Sequence, residues 1–381
     1  MPDPTLSAPV PFSRHLPPQA TVQAAKEMAA TGLVDDILIW DQLTWFFPPS
    51  LWKRENLPTG VFDAMPDADS FPDAFATAAY VLSQVPELGV SISTESVRRG
   101  PLELIQTMLT LADMTERRAI FQVGAGEVKQ LRPSKWRRNG LAQLEDKLDI
   151  FKLYMNADGP IDFDGNFSKL DTAWIGGARK NKPTIWALGG GPKLIDIAAA
   201  KAGGFCTVAP FAWPTPEVAA TEIHAIREKV EAGGRDPDEF EFAMWSVALL
   251  HEDDEMIDRA IGNALVRWQA AIFGRLNMSD WDAEGIEPVF PRDWHYASNL
   301  EPMKMGADET HEILGRVTDE MVRKSYFIGD AKSVASDLAA YHEAGVSWIH
   351  LSDLLPLAVD LEDGSGPMDR SYEVFRILRG A

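Results

Sequence analysis

Short apolar runs alternate with amphipathic stretches along most of the chain. "DILIW" (36–40), "ELGVSIS" (87–93), "AIFQVG" (119–124), "TIWALGG" (184–190), "GFCTVAP" (204–210), "FEFAMWSVALL" (240–250) and "VSWIHLS" (346–352) are short and rich in β-branched and aromatic residues, with "VPFS" (10–13) as the candidate first strand. Such runs, bounded by Gly, Pro or acidic residues, read as strands buried on both faces of a parallel sheet. Between them lie helical patterns. "PLELIQTMLTLADMT" (101–115) brings Leu102, Ile105, Met108, Leu109 and Leu111 broadly to one face, with Pro101 suited to the first helical position. "GPKLIDIAAAKAGG" (191–204), "PEVAATEIHAIREKVEAGG" (216–234) and "AKSVASDLAAYHEAG" (331–345) behave similarly. About eight strands, each trailed by a helix, argue an α/β fold of the (β/α)8 TIM-barrel type, with a doubly wound sheet carrying a cap as the alternative.

Two segments interrupt the alternation: a Pro- and aromatic-rich excursion at 43–72, and a stretch at 274–308 carrying Trp281, Phe290, Trp294 and Tyr296. Long irregular segments in a compact domain serve as lids or binding elements, or as solvent-facing insertions and oligomer contacts. The whole chain, 1–381, is read as one barrel domain with these two insertions.

Composition narrows the classes. The net charge of -21 argues against a nucleic-acid partner and against docking on anionic membranes. The lone cysteine, Cys206, excludes an intramolecular disulfide and fits a cytoplasmic setting; its place in an apolar strand makes it core. No apolar run approaches the ~20 residues that span a bilayer, and the Pro-rich start shows no secretion signal.

In a barrel, reacting groups sit at the C-terminal strand ends. There the sequence offers Asp41 and Gln42, the cluster Ser91 to Ser96 with Glu95 inside it, Glu127 after "GAG", Gly189, Gly190, Gly191 and Pro192 at a strand-to-helix junction, and Thr207. Each has a plain structural reading, as a turn cap, a strand-end hydroxyl or a tight βα turn. "GAGEVK" lacks the third glycine of the dinucleotide fingerprint and any P-loop Gly-Lys-Ser/Thr. "GGGP" permits close backbone approach and opens a helix whose N–H groups suit an anion. His15 follows the candidate first strand and is expected at the barrel mouth. No metal-ligand spacing is found, and "DGPIDFDGN" (158–166) fails the calcium-loop pattern, leaving a hairpin turn at Asp164-Gly165.

Taken together, "LPP", "IWDQL", "LGVSISTESVRRGPLELIQTMLTLADMTERRAIFQVGAGE", "IWALGGGPKLIDIAAAKAGGF", "GGRDPDEF" and "FIGDAKSVASDLAAYHEAGVSWIHL" resemble the bacterial luciferase-like superfamily. The resemblance is to its coenzyme F420-dependent branch, of the phthiodiolone ketoreductase and F420-dependent glucose-6-phosphate dehydrogenase types. It implies a homodimeric oxidoreductase moving hydride between C5 of the deazaflavin and an organic substrate. Asp41, Ser91, Ile92, Thr94, Gln130, Gly189, Gly190, Gly191, Pro192 and Thr207 would contact the cofactor, with Ser91–Ile92 at a strand bulge that is often a non-prolyl cis peptide. Asp41, Gln42, Glu127 and His15 would serve catalysis, and Trp45 and Phe46 would shape the substrate pocket. The sugar-phosphate dehydrogenases carry histidine where this chain has Gln42, and an amide shuttles no proton at neutral pH. An FMN-dependent monooxygenase and a non-catalytic flavin-binding relative are the alternatives.

Overall fold

The computed structural model describes residues 2–131, 139–361 and 363–380. Eight parallel strands close into a barrel: β1 (Thr5–Pro9), β2 (Asp36–Trp40), β3 (Gly89–Glu95), β4 (Ala119–Gly124), β5 (Thr184–Leu188), β6 (Gly204–Ala209), β7 (Glu241–Leu250) and β8 (Trp348–Asp353). Each pairs with the next, β8 pairs with β1, and the β6–β7 ladder completes the ring. A short strand, Phe327–Gly329, adds to the far end of β7. The expected first strand at 10–13 is displaced. The strand is Thr5–Pro9, and the segment after it lies outside the ladder.

The helices start where their chemistry allows. Pro101, Pro192 and Pro216 occupy first-turn positions, where a missing N–H costs nothing. Asp73 and Asp330 cap their helices by accepting from Ala76 and Ser333 amides. Apolar faces of these helices pack on outward-pointing strand residues such as Ile92, Phe121, Phe205 and Phe242. Leu38, Ile120, Trp186, Cys206, Ala243 and Trp348 fill the barrel interior. Beside them Gln122 Nε2 donates to Ser91 Oγ (2.8 Å) while its Oε1 accepts from Trp245 Nε1 (2.7 Å). His350 is buried among Ser7 and Ser352, and burial drives its pKa down to about 3, so it stays neutral.

The Asp164-Gly165 hairpin is present: Ile161–Asp164 pairs antiparallel with Lys169–Ala173, and the buried Asp146 carboxylate accepts the amides of Asn166, Phe167 and Ser168. The two insertions carry short helices (Thr59–Ala64, Met278–Glu284, Tyr296–Asn299, Pro302–Lys304) and build a second apolar core with the helix Ala264–Phe273. Trp268 Nε1 donates to Phe46 O (2.7 Å) and Asn263 Nδ2 to Asn56 O (2.9 Å), fastening the first insertion to that helix.

Candidate active site at the barrel mouth

A cavity of about 850 Å³ opens at the C-terminal strand ends. Its walls come from the segments after β2, β3, β4, β5 and β6, from Trp245 and Val247 of β7, and from Phe273, Leu276 and residues 295–298.

Asp41 is almost fully buried in one wall. It accepts from Thr94 Oγ1 (2.7 Å) and from Arg98 Nη2 (2.8 Å) and Nε (3.1 Å), with Arg99 Nε 3.7 Å away. Beside it Gln42 also lines the cavity, and its Oε1 is buried without a hydrogen-bond partner among the described residues.

The turn after β4 supplies the most charged part of the site. Gly126 adopts φ +106°, and a Cβ there would lie 2.7 Å from Val97 Cγ2, so only glycine permits this path. The turn aims Glu127 at the cavity, where its Oε2 meets the buried Lys129 Nζ at 2.6 Å. The Glu127 amide donates to Glu95 Oε1 (3.2 Å), the last residue of β3. Burial first, then repulsion from Glu127, raises the Glu95 pKa to about 8, against the pull of Lys129 and Arg98. His295 and Tyr296 close this side. The His295 Nδ1 accepts from the Ala297 amide, so the neutral ring carries its proton on Nε2; burial lowers its pKa and raises that of Tyr296.

At another end, Gly189, Gly190, Gly191 and Pro192 line the cavity together with Lys193 and Thr207. A Cβ on Gly190 would stand 2.1 Å from Leu276 Cδ2, so Leu276 fills that side of the turn, whereas a Cβ on Gly191 would meet nothing within 4 Å, leaving open space at the start of the Pro192–Lys201 helix.

The structure thus brings Asp41, Gln42, Thr94, Glu127, Gln130, Phe46, Thr207 and the "GGGP" turn to one cavity. Other expectations need correction. His15 is outside the lining, because the first strand ends earlier; its Nε2 meets Asp67 Oδ2 at 2.5 Å. Ser91 and Ile92 sit in regular register with Ile120 and Phe121, without a bulge; Ser91 points into the barrel interior and Ile92 into the outer core. The only cis peptide among the described residues is Ala209–Pro210, so Ser91–Ile92 is trans. Trp45 also lies outside the lining, packed behind Phe46 against Phe47, Trp52 and Phe71. Gln130 does face the cavity, yet its amide clamps the first insertion, accepting from Leu43 N (2.8 Å) and donating to Thr44 O (2.9 Å). The sequence offered Glu95 only within the third-strand cluster, without a role, and Lys129, Lys193 and His295 were passed over as site residues. Away from the mouth, His251, Glu252 and Asp363 converge, but the Arg370 guanidinium binds all three.

A family model described as luciferase-like monooxygenase matches residues 57–347, more than half of the chain. The chain belongs to that family. Among its relatives is the phthiodiolone/phenolphthiodiolone dimycocerosates ketoreductase of Mycobacterium tuberculosis, 23% identical over 347 residues that cover 88% of each protein. Of solved structures, an F420-dependent secondary alcohol dehydrogenase in complex with an F420-acetone adduct superposes with a TM-score of 0.70 at 19% identity, covering 99% of this chain and 98% of that one. A riboflavin lyase with modified FMN and substrate riboflavin gives 0.68 at 14%, covering 99% and 92%. These structural likenesses extend over nearly the whole chain and bear out the fold. No helix among the described residues is long and apolar enough to cross a membrane.

Proposed function

We propose that the chain is a coenzyme F420-dependent oxidoreductase that reduces a carbonyl or activated double bond of an organic substrate. The observation that carries this reading is the pairing, in one cavity, of a glycine cradle at a helix start with a protonatable face. The open space at Gly191 would admit the cofactor's ribityl-phosphate portion, with Gly190, Pro192 and Lys193 at its edge, since helix-start amides and a lysine suit an anion. Asp41, Gln42, Thr94 and Thr207 would meet the rest of the group. When bound, the deazaflavin supplies hydride at C5, and the protein orients it and excludes water. Phe46, Phe211 and Phe273 would hold an apolar substrate, while the polar face near Glu127 and His295 would polarise and protonate the acceptor oxygen. The ketoreductase relative, by its name a carbonyl reductase, supports the same direction.

Fluorescence quenching of F420 and of FMN by the purified protein tests the cofactor. F420 binding with oxygen-independent turnover is expected. Tight FMN binding without F420 binding would overturn the proposal in favour of a flavin monooxygenase.

A further inference from the structure

Glu95, Glu127 and Lys129 gather two carboxyls and one ammonium in the cavity wall, with Glu127 partly open to the cavity. Lys129 is almost fully buried, and Glu95 Oε2 is sealed from solvent with no hydrogen-bond partner among the described residues. Two negative charges against one positive charge in a low-dielectric pocket favour retention of one proton. The contacts decide where it sits. Glu127 is held as a carboxylate by Lys129 at 2.6 Å, whereas Glu95 receives only a backbone amide, that of Glu127, at 3.2 Å. The surrounding charges do not reverse this. Arg98 is committed to Asp41, Asp69 of the first insertion accepts the Trp45 amide, and His295 and Tyr296 face the cluster as neutral rings.

We propose that Glu95 is a proton-holding, positioning residue of this site, protonated at neutral pH and supplying through Glu127 the proton that completes reduction of a carbonyl. The proposal rests on the oxidoreductase reading. In balance, the carbonyl carbon gains the hydride with its electron pair, and the C=O π pair moves to oxygen. The proton of Glu95 passes to the Glu127 carboxylate, which hands it on to that oxygen, so Glu127 ends as the carboxylate it began and Glu95 is left ionised. The oxidised ring sheds one proton to water and Glu95 regains one from water, so no net proton is consumed. Burial and the Glu127 charge hold the Glu95 pKa above neutrality, so the store is full at pH 7 and empties in mild alkali.

Infrared titration of the enzyme without cofactor tests this separately from the cofactor assignment. A protonated-carboxyl C=O band at pH 7 that titrates in mild alkali and is missing in Glu95→Gln is expected; superimposable wild-type and Glu95→Gln spectra would overturn the proposal. Should Glu95→Gln not fold, Glu127→Gln decides. Removing the neighbouring charge should move the band's midpoint to lower pH, and a band that stays in place or vanishes at every pH refutes it. In the loaded enzyme the alkaline fall in carbonyl reduction should flatten in Glu95→Gln with KM little changed. An unaltered profile likewise refutes the relay.

Discussion

Replacing Asp41 by Asn tests whether the site's wall depends on a buried ion pair. The carboxylate side chain is 2% exposed and its partner Arg98 15%, and together they make two direct charge-assisted bonds at 2.8 and 3.1 Å. Arg98 Nη1 has no other partner among the described residues, so removing the anion strands a guanidinium in the wall. Breaking a buried pair from one side costs about 3–5 kcal/mol, against 0–1 for a surface pair. The residual exposure of Arg98 argues for the lower end, ~3 kcal/mol. With an unfolding entropy of about 2.1 cal/mol/K per residue, that loss lowers Tm by roughly 4 °C for a chain of this size. The assay is differential scanning calorimetry of wild type, Asp41→Asn, Arg98→Met and the double variant. The double variant should recover part of the loss, because the stranded charge is gone. A single-variant shift under about 1 °C, or a double variant whose losses simply add, would refute the buried-pair account.

The wild type should lose stability relative to Asp36→Asn as pH rises. Asp36 is buried and accepts from Trp348 Nε1, and burial raises its pKa from 3.8 to about 7. The folded protein therefore keeps this proton after the unfolded chain has released it, so the stabilisation is complete below pH ~4 and lost as pH climbs to about 7, by ~4 kcal/mol in all. Tm measured across that window for both proteins checks the sign; a constant difference would contradict it. Gly190→Ala should leave Tm within ~2 °C, since Leu276 can swing its terminal methyl aside, while F420 affinity falls about tenfold or more. Unchanged binding in the quenching titration would remove Gly190 from the cofactor's path.

The barrel was legible because its strands announce themselves. β2 and β4 occupy the same residues as the apolar runs "DILIW" and "AIFQVG", both buried on two faces. β1 was misplaced because its inward residue is Ser7, made tolerable by His350 across the β1–β8 ladder, a contact 343 positions away in sequence. That shift carried His15 with it. The cavity's glycines and Glu127 could be read from local order. Glu95 could not, because its meaning depends on the β3–β4 register that sets Glu95 opposite Gly124 and folds the next turn over it. Lys129 is buried only once the first insertion folds over it, where its Nζ donates to Thr44 O (3.3 Å).

The first insertion packs most of its apolar residues with the Ala264–Phe273 helix, over Val247 and Leu249 of β7, while Phe71 reaches the barrel's outer core. Aromatic rings from Trp45 to Trp52 interlock there, with Phe46 alone among them reaching the cavity. On the proposed function, selectivity and foldability would be housed largely in different parts of the chain. The roof can be redrawn, ring by ring, to admit a different guest while the ladder beneath keeps its closure.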